Sequence, residues 1–240
     1  SRNGQFSLDK NGYIVNAVYD NIFFITAPLS AFALGLLIAY SSLPSMKVTI
    51  FSHTESPETL FLGSFIMAHL FIVFFRSNGN KKIYELCPLR FTVVPLVLFL
   101  AMCVSKWVAV SAAVLATWWD VYHSSLQTFG LGRIYDARVG NDANVGRRLD
   151  YLLNLLIYAG PILAGSVLMA HTKDFQDYEA VQAMLFAHMG DYIDSQQRYL
   201  QFVVLAIGIP FIAYYLFSYW RYHKQGYKIS PQKVTLLAST

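Results

Sequence analysis

Apolar residues in this chain neither alternate nor form stripes. They run in long blocks, each closed by polar and mostly basic residues. Blocks of this length read as membrane-spanning helices. Spans are expected at residues 21–41, 59–75, 91–105, 108–129, 151–171 and 199–222. The expected fold class is all-α: a polytopic, six-transmembrane-helix bundle forming one integral membrane domain over residues 1–240. Pro28 in the first span and Gly160-Pro161 in the fifth are expected to bend their helices. The polar residues 1–19 are expected on the membrane surface. Between the fifth and sixth spans, Val181, Met184, Leu185 and His188 recur at three- and four-residue steps. That spacing predicts a short amphipathic helix on the outer surface. Gly130 and Gly132 are expected to end the fourth helix, a loop to follow up to Arg148, and a basic tail to follow the sixth span.

Composition sharpens the class. Hydrophobic residues make up 55% of the 240 positions and charged residues only 13%, with mean hydropathy +0.42. A soluble domain carries about 25% charged residues. The formal net charge of +4 does not point to nucleic acid, because the basic residues sit between the apolar blocks. With the amino terminus in the cytoplasm, 14 of the 18 Lys and Arg fall on the inner side, leaving Lys47, Lys106, Lys173 and Arg198 outside. The expected topology places both termini in the cytoplasm, in a plasma (inner) membrane. Cys87 lies in a basic loop and Cys103 in an apolar run, so no disulfide framework is indicated.

Candidate chemistry gathers in Thr117 to Asp136, TWWDVYHSSLQTFGLGRIYD. Asp120, His123 and Gln127 are three and then four residues apart, which puts them on one helix face. Ionisable groups inside a span are expensive and mark functional interiors. By the 1.5 Å rise per residue, His69 lies about 10 Å from the inner end of its span, and His123 lies at about the same depth. Two His and one carboxylate with open positions form the ligand set of non-haem iron oxygenases. The expected metal ligands are His69, Asp120 and His123, with Asp120, His123 and Gln127 as the catalytic face. Arg133, Asn154 and Tyr158 are expected to support the cofactor; Asp150, Asn154 and Tyr158 recur every four residues on one face. The function expected is a metal-dependent membrane oxidoreductase, with iron as the transition metal, acting on a lipophilic small molecule that enters from the bilayer. A redox partner or other membrane subunits would serve it.

The same residues admit other readings. His69 and His123 could be axial ligands of a haem b in an electron-transfer subunit. Asp120, His123 and Asp150 could relay protons or hold a cation in a transporter. An accessory subunit would turn these polar groups toward a partner chain. Other chemistries lack their motifs: there is no HExxH, no GxSxG, no phosphate-binding loop and no clustered histidine box. The arginine-rich stretch from Gly130 to Arg148, with Asp136, Asp142 and Asp150, reads chiefly as a device that sets orientation.

Overall fold

The computed structural model describes residues 12–50 and 53–240. The surface placement expected for residues 1–19 therefore lies, for its first 11 positions, outside the described residues. In chain order the helices are α1 (Ala17–Asp20), continued by a π-helical turn Asn21–Ile25, α2 (Ala27–Ala39), α3 (Pro57–Asn78), α4 (Lys81–Tyr84), α5 (Pro88–Val104), α6 (Lys106–Arg138), α7 (Arg147–Leu163), α8 (Leu168–Thr172), α9 (Met184–Ala187), α10 (Met189–Ser195), α11 (Gln197–Lys224) and α12 (Pro231–Ser239). Two three-residue strands, β1 (Val48–Ile50) and β2 (His53–Glu55), pair antiparallel between α2 and α3. Among the described residues, the fold is all-α apart from this hairpin.

Among the described residues, two helices, Pro57–Arg76 within α3 and Gln197–Lys224, are long and apolar enough to cross a membrane. The number rises to four if two bent helix pairs each count as one span. The first pair bends by 56° between Ile25 and Ala27. Pro28 lacks an N–H, and its ring would crowd the carbonyl four residues back, so the helix cannot run through it unbroken. The second pair, Arg147–Leu163 with Leu168–Val181, bends by 96°. Here the structure corrects the expected continuous span 151–171. Gly165 takes φ +102, its N–H donates to Ile162 O at 2.9 Å, and Ser166 N–H donates to Pro161 O at 2.9 Å. That bond pair is a Schellman stop, which satisfies the last carbonyls and turns the chain away.

The chain forms two compact units: Ser30–Val108, and the described residues up to Leu29 together with Ala109–Thr240. In the first of these, α3 begins with local signals. Ser56 caps it by accepting from Thr59 N–H, Pro57 opens the first turn, Glu58 follows, and Arg76 lies in the last turn. Each complements the unpaired groups or the dipole at its end. Phe65, Ile66, Met67, Leu70 and Phe71 remain exposed along this helix, as suits a surface solvated by lipid.

The other unit is built around α6. This helix has 33 residues, about 50 Å by its rise, and it corrects the expected end at Gly130 and Gly132. It continues to Arg138, because Tyr135 and Asp136 are buried on its last turns. The helix stops where Gly140 takes φ +87; Gly140 N–H donates to Ala137 O and Asn141 N–H to Asp136 O, a second Schellman stop. Along the first half of α6, Val110 and Val114 pack with Tyr178 and Ala187. Thr117 donates to Asp174 at 2.6 Å, and Tyr178 donates to Ser111 at 3.0 Å. The amphipathic helix expected through Val181–His188 is interrupted: Gln182 adopts φ +59, so the segment forms short turns that dock on α6. Helices α7 and α11 approach closely where Leu156 sits against both Gly160 and Gly208.

The residues after α11 are not a loose basic tail. Ser230 caps α12 by accepting from Lys233 N–H, with Pro231 at its first position. Leu236 is 2% exposed and packs with Ile25 and Tyr135. Ser239 donates its hydroxyl to Ile25 O. Asn141 holds the approach to α12 with two bonds to the backbone of Lys228, at 2.7 and 2.9 Å.

Candidate functional site

The polar core of this unit forms where α6, α7, α11 and α12 converge. Asp136 and Asp150 are each 1% exposed and Lys233 is 5% exposed. Arg133 Nη1 donates to Asp136 Oδ2 at 2.8 Å and to Asp150 Oδ2 at 2.7 Å. Lys233 Nζ donates to the same two oxygens, both at 2.8 Å. Two cations thus bridge two carboxylates, and the formal charges cancel. The other oxygen of Asp150 accepts from Tyr215 at 3.0 Å and from Tyr219 at 2.6 Å. Lys233 also donates to Tyr219 at 2.8 Å and reaches Tyr227 at 3.4 Å. Burying so many charges is tolerable only because most of their lone pairs and protons have partners; among the described residues, Arg133 Nε and Asp136 Oδ1 are the exceptions.

Local sequence explains much of this. Arg133 and Asp136 are one helical turn apart on α6, as are Tyr215 and Tyr219 on α11. Arg133 also fastens the following loop through Asp142 O at 3.3 Å and Ala143 O at 2.9 Å. Gly146, at φ +70, precedes α7; a Cβ there would collide with the Tyr219 hydroxyl. Burial alone would lower the Arg133 pKa, but its bond to Asp150 and the charges of Asp150 and Asp136 raise it.

A second buried carboxylate anchors the amino-terminal end of the unit. Asp20 is 0% exposed and accepts from Ile14 N–H at 2.5 Å, Val15 N–H at 3.0 Å and the Tyr135 hydroxyl at 3.2 Å. Burial, then Asp20, pushes the Tyr135 pKa well up. Burial, then the neighbouring Asp136, does the same to Tyr227. A raised pKa means that the folded state holds these protons more tightly than the unfolded chain. The stability this contributes is complete below about pH 10, the unfolded tyrosine value, and declines as pH climbs above it. Melting temperature is therefore expected to fall on going from pH 9 to pH 11, and to fall less in Tyr135→Phe. An equal fall in both proteins would remove Tyr135 from the account.

A cleft of about 560 Å³ adjoins the charge cluster, between α7, α11 and α12. Leu153, Ile157, Ile212, Leu216, Trp220 and Leu237 contribute to its wall, which is almost wholly apolar. Asp136, Tyr219, Tyr227 and Lys233, all members of the cluster, line it as well.

The residues singled out from the sequence are distributed as follows. His69 is exposed on α3, in the Ser30–Val108 unit. Asp120, His123 and Gln127 are exposed on α6, where Gln127 Nε2 and His123 Nε2 lie 2.8 Å apart in a hydrogen bond. Arg133 belongs to the charge cluster. Asn154 is buried one turn after Asp150 and donates to its backbone oxygen at 2.8 Å. Tyr158 bonds Thr128 at 2.6 Å, tying α7 to α6. Among the described residues, no three His, Cys, Asp or Glu side chains gather around a common metal position. The sequence reading missed Lys233 and the three tyrosines. The four-residue step from Tyr215 to Tyr219 was a usable signal for two of them. Nothing near Lys233 announced its role, because its carboxylate partners lie 97 and 83 residues away. Comparison with protein-family models, with curated proteins and with solved structures returns no match.

Proposed function

We propose that this chain is a six-span membrane protein, with both termini on the cytoplasmic side of a plasma (inner) membrane, that binds a lipophilic small molecule between α7, α11 and α12. The observation that carries the binding reading is the cleft: about 560 Å³ of mostly apolar wall meeting a group of buried polar residues. Ligand pockets of small-molecule size run from about 300 to 1,000 Å³ and combine apolar walls with a few placed polar groups. In this reading the spans are α3, α11 and the two bent helix pairs, all long and apolar enough to cross, together with the apolar runs of α5 and of residues 108–129 in α6, and the 14-to-4 distribution of Lys and Arg supports the orientation. Native mass spectrometry of the detergent-purified protein is expected to retain one lipophilic molecule. Ile157→Trp, which fills the cleft, is expected to exclude it. No retained molecule, or the same molecule in both proteins, overturns the reading.

A second reading is the metal-dependent oxidoreductase, with iron bound by Asp120 and His123 on α6. The His123–Gln127 bond favours it, since a carboxamide that fixes one ring nitrogen leaves the other aligned for a ligand. Asp120, one turn before His123, supplies a second donor on the same face. Elemental analysis separates the readings: iron that co-purifies and is lost in His123→Ala supports this one, and the same metal content in both proteins removes it.

A further inference from the structure

We propose that the cleft selects a lipophile ending in a neutral hydroxyl, an alcohol or a phenol, whose O–H donates to Oδ1 of Asp136. The inference rests on the cleft reading above and adds the chemistry of the ligand's polar end. Asp136 lines the cleft and is 1% exposed. Its Oδ2 accepts from both Arg133 and Lys233. Its Oδ1 is buried and has no hydrogen-bond partner among the described residues. The Tyr227 hydroxyl interacts with this carboxylate and is held protonated in part by it, but its geometry does not complete a hydrogen bond to Oδ1. A buried carboxylate oxygen without a donor is costly, and native structures seldom leave one so.

Charge decides which donor fits. An ammonium group would share the carboxylate with Lys233 Nζ and Arg133 Nη1, each already 2.8 Å from Oδ2, and would meet like charge on both sides. A phosphate or carboxylate headgroup would bring negative charge against Asp136 and offer no proton. A neutral O–H supplies the missing donor and leaves the two-against-two charge balance intact. The chain of the ligand then lies along Leu153, Ile157, Ile212 and Leu216.

The test compares four twelve-carbon probes on the full chain in detergent, titrated by native mass spectrometry: dodecanol, its methyl ether, dodecylammonium and dodecyl phosphate. The alcohol is expected to bind at least about tenfold more tightly than the ether, the range for a hydrogen bond to a charged acceptor. It is expected to bind more tightly than either charged probe. Equal binding of alcohol and ether, as a water fixed on Oδ1 would produce, overturns the hydroxyl inference and leaves the cleft reading standing. Tightest binding by the ammonium or the phosphate overturns the inference in the same way. Binding by none of the four removes the cleft reading itself. In folded Asp136→Asn the alcohol-to-ether ratio is expected to shrink toward one; an unchanged ratio places the hydroxyl elsewhere.

Discussion

Asp150→Asn is expected to destabilise the protein by about 3–5 kcal/mol, the cost of leaving buried charges uncompensated. Asp150 accepts four side-chain hydrogen bonds, from Arg133, Lys233, Tyr215 and Tyr219. Asparagine keeps the shape but removes the charge, and its amide N–H₂ points donors at donors. With only Asp136 left to balance them, Arg133 and Lys233 become an excess buried positive charge. Resistance of the purified protein to chemical unfolding measures the effect, and a loss under about 1 kcal/mol, typical of an exposed pair, would show that the cluster is solvated rather than sealed. The same substitution is expected to loosen α7 from α11, because Tyr215 and Tyr219 hold Asp150 across that contact. Cysteines introduced across that interface would then cross-link more slowly.

Lys233→Met comes next, at about 3 kcal/mol. The value sits at the low end because Arg133 still bridges both carboxylates after the ammonium is gone. Methionine keeps the length of the side chain and so isolates the charge. The more distinctive outcome is local. Helix α12 has nine residues, too short to persist without its docking contacts. Without the Lys233 bonds it is held mainly by Leu236 and the Ser239–Ile25 bond. Residues 228–240 are therefore expected to lose protection from proteolysis and hydrogen exchange before the rest of the chain. Adding Asp136→Asn to Lys233→Met removes the surplus carboxylate and is expected to recover part of the stability, since the two side chains are in direct contact. A double variant no better than the additive sum would disprove a charge-based role for Lys233.

Both effects arise from residues that sequence reading treated very differently. Arg133 was singled out, and Asp136 and Asp150 were noted beside it, because charges flanking an apolar block stand out. Their pairing was not legible: Arg133, expected to support a cofactor, instead bonds Asp136, Asp150 and the loop after α6. Lys233 read as one of several tail cations with no more significance than Lys224 or Lys228. Gly130 and Gly132 looked like a helix end, yet α6 passes through both. Gly132 lies beside the Lys233 stem, where an added Cβ would make ordinary contact at 3.7 Å, and neither glycine serves as a stop. Gly165 behaves differently. Its stop is local, made by bonds to Ile162 and Pro161, but a glycine four residues after a proline does not by itself say which carbonyls it will cap.

The sequence alone determined that this is a helical, strongly apolar chain with its helices close to the expected blocks. Apolar run length, Pro57 and Ser56 at the start of α3, Pro28 at the first bend and the distribution of Lys and Arg are all local quantities, and local quantities survive without knowledge of the fold. Only the tertiary structure decided where the buried charges meet, that the last ten residues close over them, and that an apolar cleft opens beside Asp136. A buried ion cluster is stable only when separate segments bring cations and carboxylates within bonding distance together. That condition concerns distances between segments, and no spacing along one helix encodes it.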